Sequence, residues 1–174
     1  PLIAEESAGV TALLGGSIDI TSTAPFADIP DLENDDRVQV LKSAGTNTRF
    51  VSLNNAVAPF DDVHFRRAVS MAFDRRPMVD VVIFGEGGIA NGVIPQSISW
   101  AATKEQPMET ILNPEAALAE MAKSKYGAGT EAVILTWGSS WWKRFAEVFV
   151  LQVNQVLGVN FTVEVSDSGT VYQR

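Results

Sequence analysis

Cysteine is absent from the 174 residues and histidine occurs once, at His64. Disulfides, thiol nucleophiles and thiolate-held metals are thereby excluded, and a zinc or nickel site would have to manage with one imidazole. Basic residues are missing from the first 36 positions, although eight acidic side chains from Glu5 to Asp36 stand there. The chain carries 21 acidic against 13 basic residues, a net charge of −8. An acidic surface repels phosphate backbones, so nucleic acid is not expected as a partner. No apolar run approaches the ~20 residues that span a bilayer. The opening Pro1-Leu-Ile-Ala-Glu-Glu also lacks the basic start and apolar stretch of a secretion signal.

Hydrophobic residues make up 46% of the chain, enough to build a core. At 174 residues one domain is expected, with about 70% of its unfolded surface buried. Residues 5–15 read as a short helix stopped by Gly15 and Gly16, and residues 17–21 alternate like a strand. Pro25 and Pro30 bound a short helical or turn segment. Residues 38–41 and 50–53 read as two further strands joined by the turn 43–48. Asp61 or Asp62 can cap a helix whose apolar face holds Phe65, Ala68, Val69, Ala72 and Phe73. A second helix is expected over 76–84, with Asp74 capping it and Gly85 ending it.

Residues 85–113 form a long loop, which is either functional or packed on itself. Asn113 followed by Pro114 starts a helix running to about Ser124. Residues 132–136 form a buried strand, and 141–157 a long helix with Trp142, Phe145, Phe149, Val153 and Val156 on one stripe. Residues 160–165 alternate as a last strand. Strands interleaved with helices give an α/β class.

Three patterns look chemical and are better read as structural. Gly85-Glu-Gly-Gly-Ile-Ala-Asn-Gly92 lacks the third glycine of a dinucleotide fingerprint and follows a helix instead of a strand. The pairs Asp35–Asp36 and Asp61–Asp62 do not converge on one point, so capping and solvation account for them without a metal. Arg66, Arg67, Arg75 and Arg76 read as surface charges near neighbouring acids. His64, in the first turn of a charged helix and with no Gly-x-Ser-x-Gly elbow in the chain, reads as a capping position.

The segment Thr136-Trp-Gly-Ser-Ser-Trp-Trp-Lys-Arg144 is different. It joins the carboxyl end of a buried strand to a helix start, where open α/β sheets place ligands. Free helix N–H groups, two hydroxyls and aromatic faces meet there. Trp137, Gly138, Ser139, Ser140 and Trp141 are the candidate ligand contacts, whereas Trp142 is expected in the core.

Residues 50–76 order an aliphatic strand, Asn54, Pro59-Phe60-x-Asp62, Val63, Arg66 and Ala68, and then Ala72-x-Asp74-Arg75. That order resembles the central signature of the family 5 extracellular solute-binding proteins of ABC importers. The Ser17-Ile-Asp-Ile element, the Gly85-Glu-Gly87, Ile94-Pro95 and Trp100 connector, and the run to Gly158 resemble flanking parts of the same pattern. His64 departs from it, since a basic residue is usual there. The resemblance implies a periplasmic-binding-protein-like lobe with a mixed sheet flanked by helices, residues 1–174 being most of the second lobe of a larger two-lobe protein. It implies a monomeric, non-enzymatic binder of a peptide or other small solute, with no cofactor and no metal, delivering cargo to a permease from the periplasm or cell surface. The signal would then have been removed or lie upstream. It adds Asn54 as a ligand-facing candidate and supports the loop 137–141. Two other readings remain: a hydrolase-like domain using Ser139 or Ser140, and an interaction module with an exposed tryptophan patch.

Overall fold

The computed structural model describes residues 5–138 and 140–173. Its elements are α1 (Glu6–Leu14), α2 (Ile29–Glu33), α3 (Val63–Met71), α4 (Pro114–Met121), β1 (Glu131–Trp137), α5 (Ser140–Leu157), β2 (Asn160–Ser166) and α6 (Ser168–Gln173). The α/β class holds. The sheet is small: among the described residues β1 and β2 pair in parallel, from Glu131 opposite Asn160 to Trp137 opposite Ser166. Helix α5 is the crossover between them, as parallel pairing requires.

Local signals explain most helix boundaries. Asp62 caps α3, its Oδ1 accepting from the N–H groups of His64 (2.8 Å) and Phe65 (3.1 Å). Asn113 caps α4 by accepting from Ala116 N–H at 3.0 Å, with Pro114 at the first helical position. The α4 helix stops at Met121, short of Ser124. Gly158, at φ 66°, ends α5 in a conformation that a side chain would strain. The expected helix over 76–84 is a π-helical turn at Met78–Val82, closed by Phe84 and Gly85 at positive φ.

The core lies where α3, α4 and α5 meet the sheet. Phe65, Val69, Val82 and Val153 are fully buried. Phe65 packs against Phe60, Tyr126 and Phe161 at centroid distances of 5.6–6.2 Å. Phe73 meets Phe149 edge-on at 5.1 Å and Phe145 at 6.3 Å, which joins the end of α3 to the expected stripe of α5. Gln152 of α5 fixes the turn after α3, accepting from Asp74 N–H at 2.7 Å. Asn154 binds both backbone groups of Phe161 at 2.9 Å and so anchors β2 to the same helix.

The strands expected at 17–21, 38–41 and 50–53 do not form ladders among the described residues. A strand needs a paired strand to take its N–H and C=O groups, and among the described residues none pairs with these segments. Ile20, Leu41 and Phe50 are correspondingly exposed, at 84%, 83% and 69%. The long loop does pack on itself. Asn91 donates to the carbonyls of Thr103 and Lys104, Gln96 donates to Thr103, and Ser97 reaches Gly45 O at 2.7 Å. Gly92 lies close to this return, where a Cβ would come 2.8 Å from Thr103 Oγ1 and make that side chain shift.

Two carboxylates pin α3 to α4 and the segment after it. Asp62 Oδ2 also accepts from Lys125 N–H at 3.1 Å, and Glu120 meets Lys123 Nζ at 2.6 Å and His64 Nδ1 at 2.8 Å. The Lys125 amide, followed by those of Phe65 and His64, holds Asp62 at a pKa of about 2. Lys123 and then His64 lower Glu120 to about 2 as well. Both groups are depressed in the folded state, so their contribution is present above the ordinary carboxylate range and lost as pH falls towards 2. Urea midpoints should therefore drop between pH 5 and pH 2.5 in the native chain, and less steeply in Asp62→Asn or Glu120→Gln. Parallel pH dependences in native and variant chains would contradict this.

Candidate functional site

A concavity of about 870 Å³ opens between the segment 43–53, the long loop, the end of α3 and the start of α5. That volume suits a small organic solute. Its apolar wall includes Phe73, Phe145, Phe149 and Trp141. Three charged side chains line it, Arg49, Arg75 and Glu86. Glu86 is paired with Lys42 at 2.7 Å, and Lys42 also meets Glu33.

Arg75 is not the surface charge expected from the sequence. Its Nη1 donates to the carbonyls of Ser70, Phe73 and Thr110, and its guanidinium sits over the Phe73 ring at 5.2 Å. Burial pushes its pKa below the ordinary arginine value. Arg66 likewise serves the backbone, donating to Phe60 O at 2.7 Å.

Of the expected contacts at the β1–α5 junction, Trp141 at the start of α5 borders this concavity, whereas Trp137 and Gly138 are not in its lining. Trp141 lines it and also a second concavity of about 650 Å³, which Gly138 shares. Trp137 and Trp141 are both half-buried. The expectation for Trp142 is overturned: it is half-buried and stacked on Trp141 at 4.1 Å, with Trp137 at 4.8 Å. Trp141, whose edge contact with Phe26 is 6.0 Å, is the one that packs against the main core. The physical reason lies in the helix start, where Trp142 finds apolar partners in Trp141 and Trp137, with the Phe145 ring at 6.5 Å, without entering the buried core.

The other expected contacts separate. Ser140 opens α5, and Ser139 lies outside the described residues. Asn54 is exposed, spends its side chain on the N–H of Ala56 at 3.1 Å, and lines neither concavity. His64, the one histidine of the chain, lies between α3 and α4 against Glu120. Among the described residues no three potential metal ligands converge. The most exposed tryptophan is Trp100, at 89%, on the long loop.

Sequence reasoning missed Arg49. Its guanidinium lies 5.4 Å from the Trp141 ring centroid and 5.1 Å from that of Trp142, and the residue lines the larger concavity. The signal available was slight: a solitary cation in the run between Lys42 and Arg66.

Residues 2–174 match the profile of the bacterial extracellular solute-binding proteins, family 5 Middle. The chain belongs to this family. Heme-binding protein A of Haemophilus influenzae is 30% identical over 119 residues, covering 68% of this chain and 21% of that protein. Di/tripeptide-binding protein 1 of Pseudomonas aeruginosa is 30% identical over 124 residues, covering 70% and 22%. The chain thus spans about a fifth of the length of the curated relatives it matches. A dipeptide binding protein from Pseudoalteromonas, solved with Met-Leu, superposes with a TM-score of 0.84 at 22% identity, over 99% of this chain and 34% of its own. The fold is therefore that of a family 5 solute-binding protein. Members of this family bind solutes and are not enzymes, and no helix among the described residues is long and apolar enough to cross a membrane.

Proposed function

We propose that this chain supplies one wall of a solute-capture cleft, as most of the second lobe of a two-lobe protein that serves an ABC importer. The observation that carries the reading is the concavity of about 870 Å³ beside the β1–α5 loop, with aromatic walls and a cationic rim. Exposed Ile20, Leu41 and Phe50 support a larger protein, since apolar side chains on unladdered segments suit further strands of the same fold. The relatives named above bind heme and di- or tripeptides. For this chain the cargo class is a peptide or another compact solute. The lobes would close on it because it makes better contacts in the closed state, and a membrane permease would receive it. The protein would act as a monomer outside the cytoplasm, free in the periplasm or anchored at the cell surface.

Calorimetry separates this reading from a self-contained site. A panel of peptides and other small solutes should bind the longer two-lobe protein at micromolar concentrations or below. This chain alone should bind the same solute weakly or not at all, because half of the cleft is missing. Submicromolar binding by the chain alone would overturn the two-lobe reading.

A further inference from the structure

We propose that Arg49, beside Trp141 and Trp142, is an oxyanion subsite of the larger concavity, so that the solute it takes presents a carboxylate or phosphate beside an apolar body. The inference rests on the capture reading above and deepens it by naming the charge of the cargo.

The charges around the concavity lead there. The chain as a whole is acidic, at −8, yet the cavity lining holds two guanidinium groups and one carboxylate. The carboxylate, Glu86, is already neutralised by Lys42. Arg75 spends its donors on the carbonyls of Ser70, Phe73 and Thr110 and on the Ser70 hydroxyl. Arg49 alone of the three makes no ion pair or hydrogen bond with the described residues. Its nearest aromatic neighbours are the two stacked indoles, whose centroids lie 5.1 and 5.4 Å away.

Beside the indole pair the guanidinium spends none of its N–H donors on the described residues, so its fork stays available for a planar oxyanion. The fork binds a carboxylate or phosphate in two parallel hydrogen bonds, and such charge-assisted bonds are the strong ones. Beyond the fork, Phe73, Phe145 and Phe149 offer an apolar surface to the rest of the solute.

The test is a titration of the full chain, labelled with ¹⁵N, at millimolar probe concentrations suited to half a cleft. The probes are N-acetyl-leucine, its neutral amide N-acetyl-leucinamide, and inorganic phosphate. The signals read are the Arg49 side-chain N–H and the indole N–H groups of Trp141 and Trp142. N-acetyl-leucine should shift all three and bind about ten- to hundredfold more tightly than the amide, the range expected for losing a charge-assisted pair. Arg49→Gln should abolish that difference, Arg49→Lys should restore part of it, and Arg67→Gln should leave it intact. Phosphate competing with N-acetyl-leucine marks a general oxyanion site; phosphate failing to compete marks a carboxylate site; both support the inference. Equal binding of acid and amide, an unchanged acid affinity in a folded Arg49→Gln chain, or no shift at Arg49 from either anion would each overturn it. Equal binding at Trp141 would leave the capture reading standing, and that reading fails separately if the longer protein captures no solute in the calorimeter.

Discussion

Replacing Phe73 with Ala should destabilise the chain by about 3–5 kcal/mol, the usual cost of emptying a buried phenylalanine site. Phe73 is 6% exposed and stands where three parts of the fold converge. Its ring edges meet Phe149 and Phe145 of α5, its backbone lies in the turn after α3, and the Arg75 guanidinium covers its other side. The cavity left by Ala cannot collapse easily, because Gln152 and Asp74 hold the turn and the helix at a fixed separation. A domain of this size is stable by only about 5–15 kcal/mol, so the variant should melt far earlier or fail to accumulate. Phe73→Leu, which keeps most of the volume, should cost under about 2 kcal/mol. Denaturation in urea gives the comparison directly. A loss below about 1 kcal/mol for Phe73→Ala would mean that α3 and α5 are not packed as described.

Arg75→Met should cost about 2–4 kcal/mol for a different reason. Methionine fills much of the same space, so packing survives while the hydrogen bonds do not. The carbonyls of Ser70, Phe73 and Thr110 lose a charged donor together, and a part-buried acceptor left without a partner costs about 1–3 kcal/mol. Thr110 lies at the far end of the long loop, and Asn113 N–H donates to Met71 O at 2.8 Å just beyond it. Loss of the clamp should therefore loosen the loop's return onto α3. Hydrogen exchange should report faster opening at 108–113 in Arg75→Met, with β1 and β2 unaffected. Arg75→Lys should not rescue it, since one ammonium cannot reproduce the fork. Unchanged exchange across 108–113 would show that the clamp carries no structural weight.

These two residues mark what the sequence could and could not disclose. Phe73 was legible because it recurs at helical spacing with Phe65 and Val69, and periodicity reports a buried face directly. The caps at Asp62 and Asn113, the stop at Gly158 and the β1–α5–β2 unit were legible for the same reason, each depending on neighbours within a few residues. Arg75 was not, because its partner Thr110 is 35 positions away and side-chain-to-carbonyl bonds leave no pattern. The segments 17–21, 38–41 and 50–53 carry strand-like sequence but find no ladder among the described residues, for strand pairing is decided by what lies alongside.

The candidate site divides in the same way. The expectation that the β1–α5 loop lines a ligand cleft came from a strand end meeting a helix start, and of its residues Trp141 lines the larger concavity. Which indole would face inward did not follow, since successive positions in a first turn differ by about 100° and either could pack. Asn54 was carried by resemblance alone, and its side chain is occupied by its own turn. Arg49 escaped notice because a cation on a coil segment has no periodic signature. Its importance emerges only when the loop 43–53 is seen to cross the tryptophans.

The most direct test of the account is iodide quenching of Trp141 in the longer two-lobe protein, with Trp100, Trp137, Trp142 and any other tryptophan replaced by phenylalanine. Without solute, Trp141 is half-buried at the cavity edge and should be quenched measurably. With a bound solute identified by calorimetry, the account predicts that quenching falls steeply, because solute and opposing lobe cover the indole together. Undiminished quenching at saturating solute would contradict the claim that the β1–α5 loop lines the capture cleft.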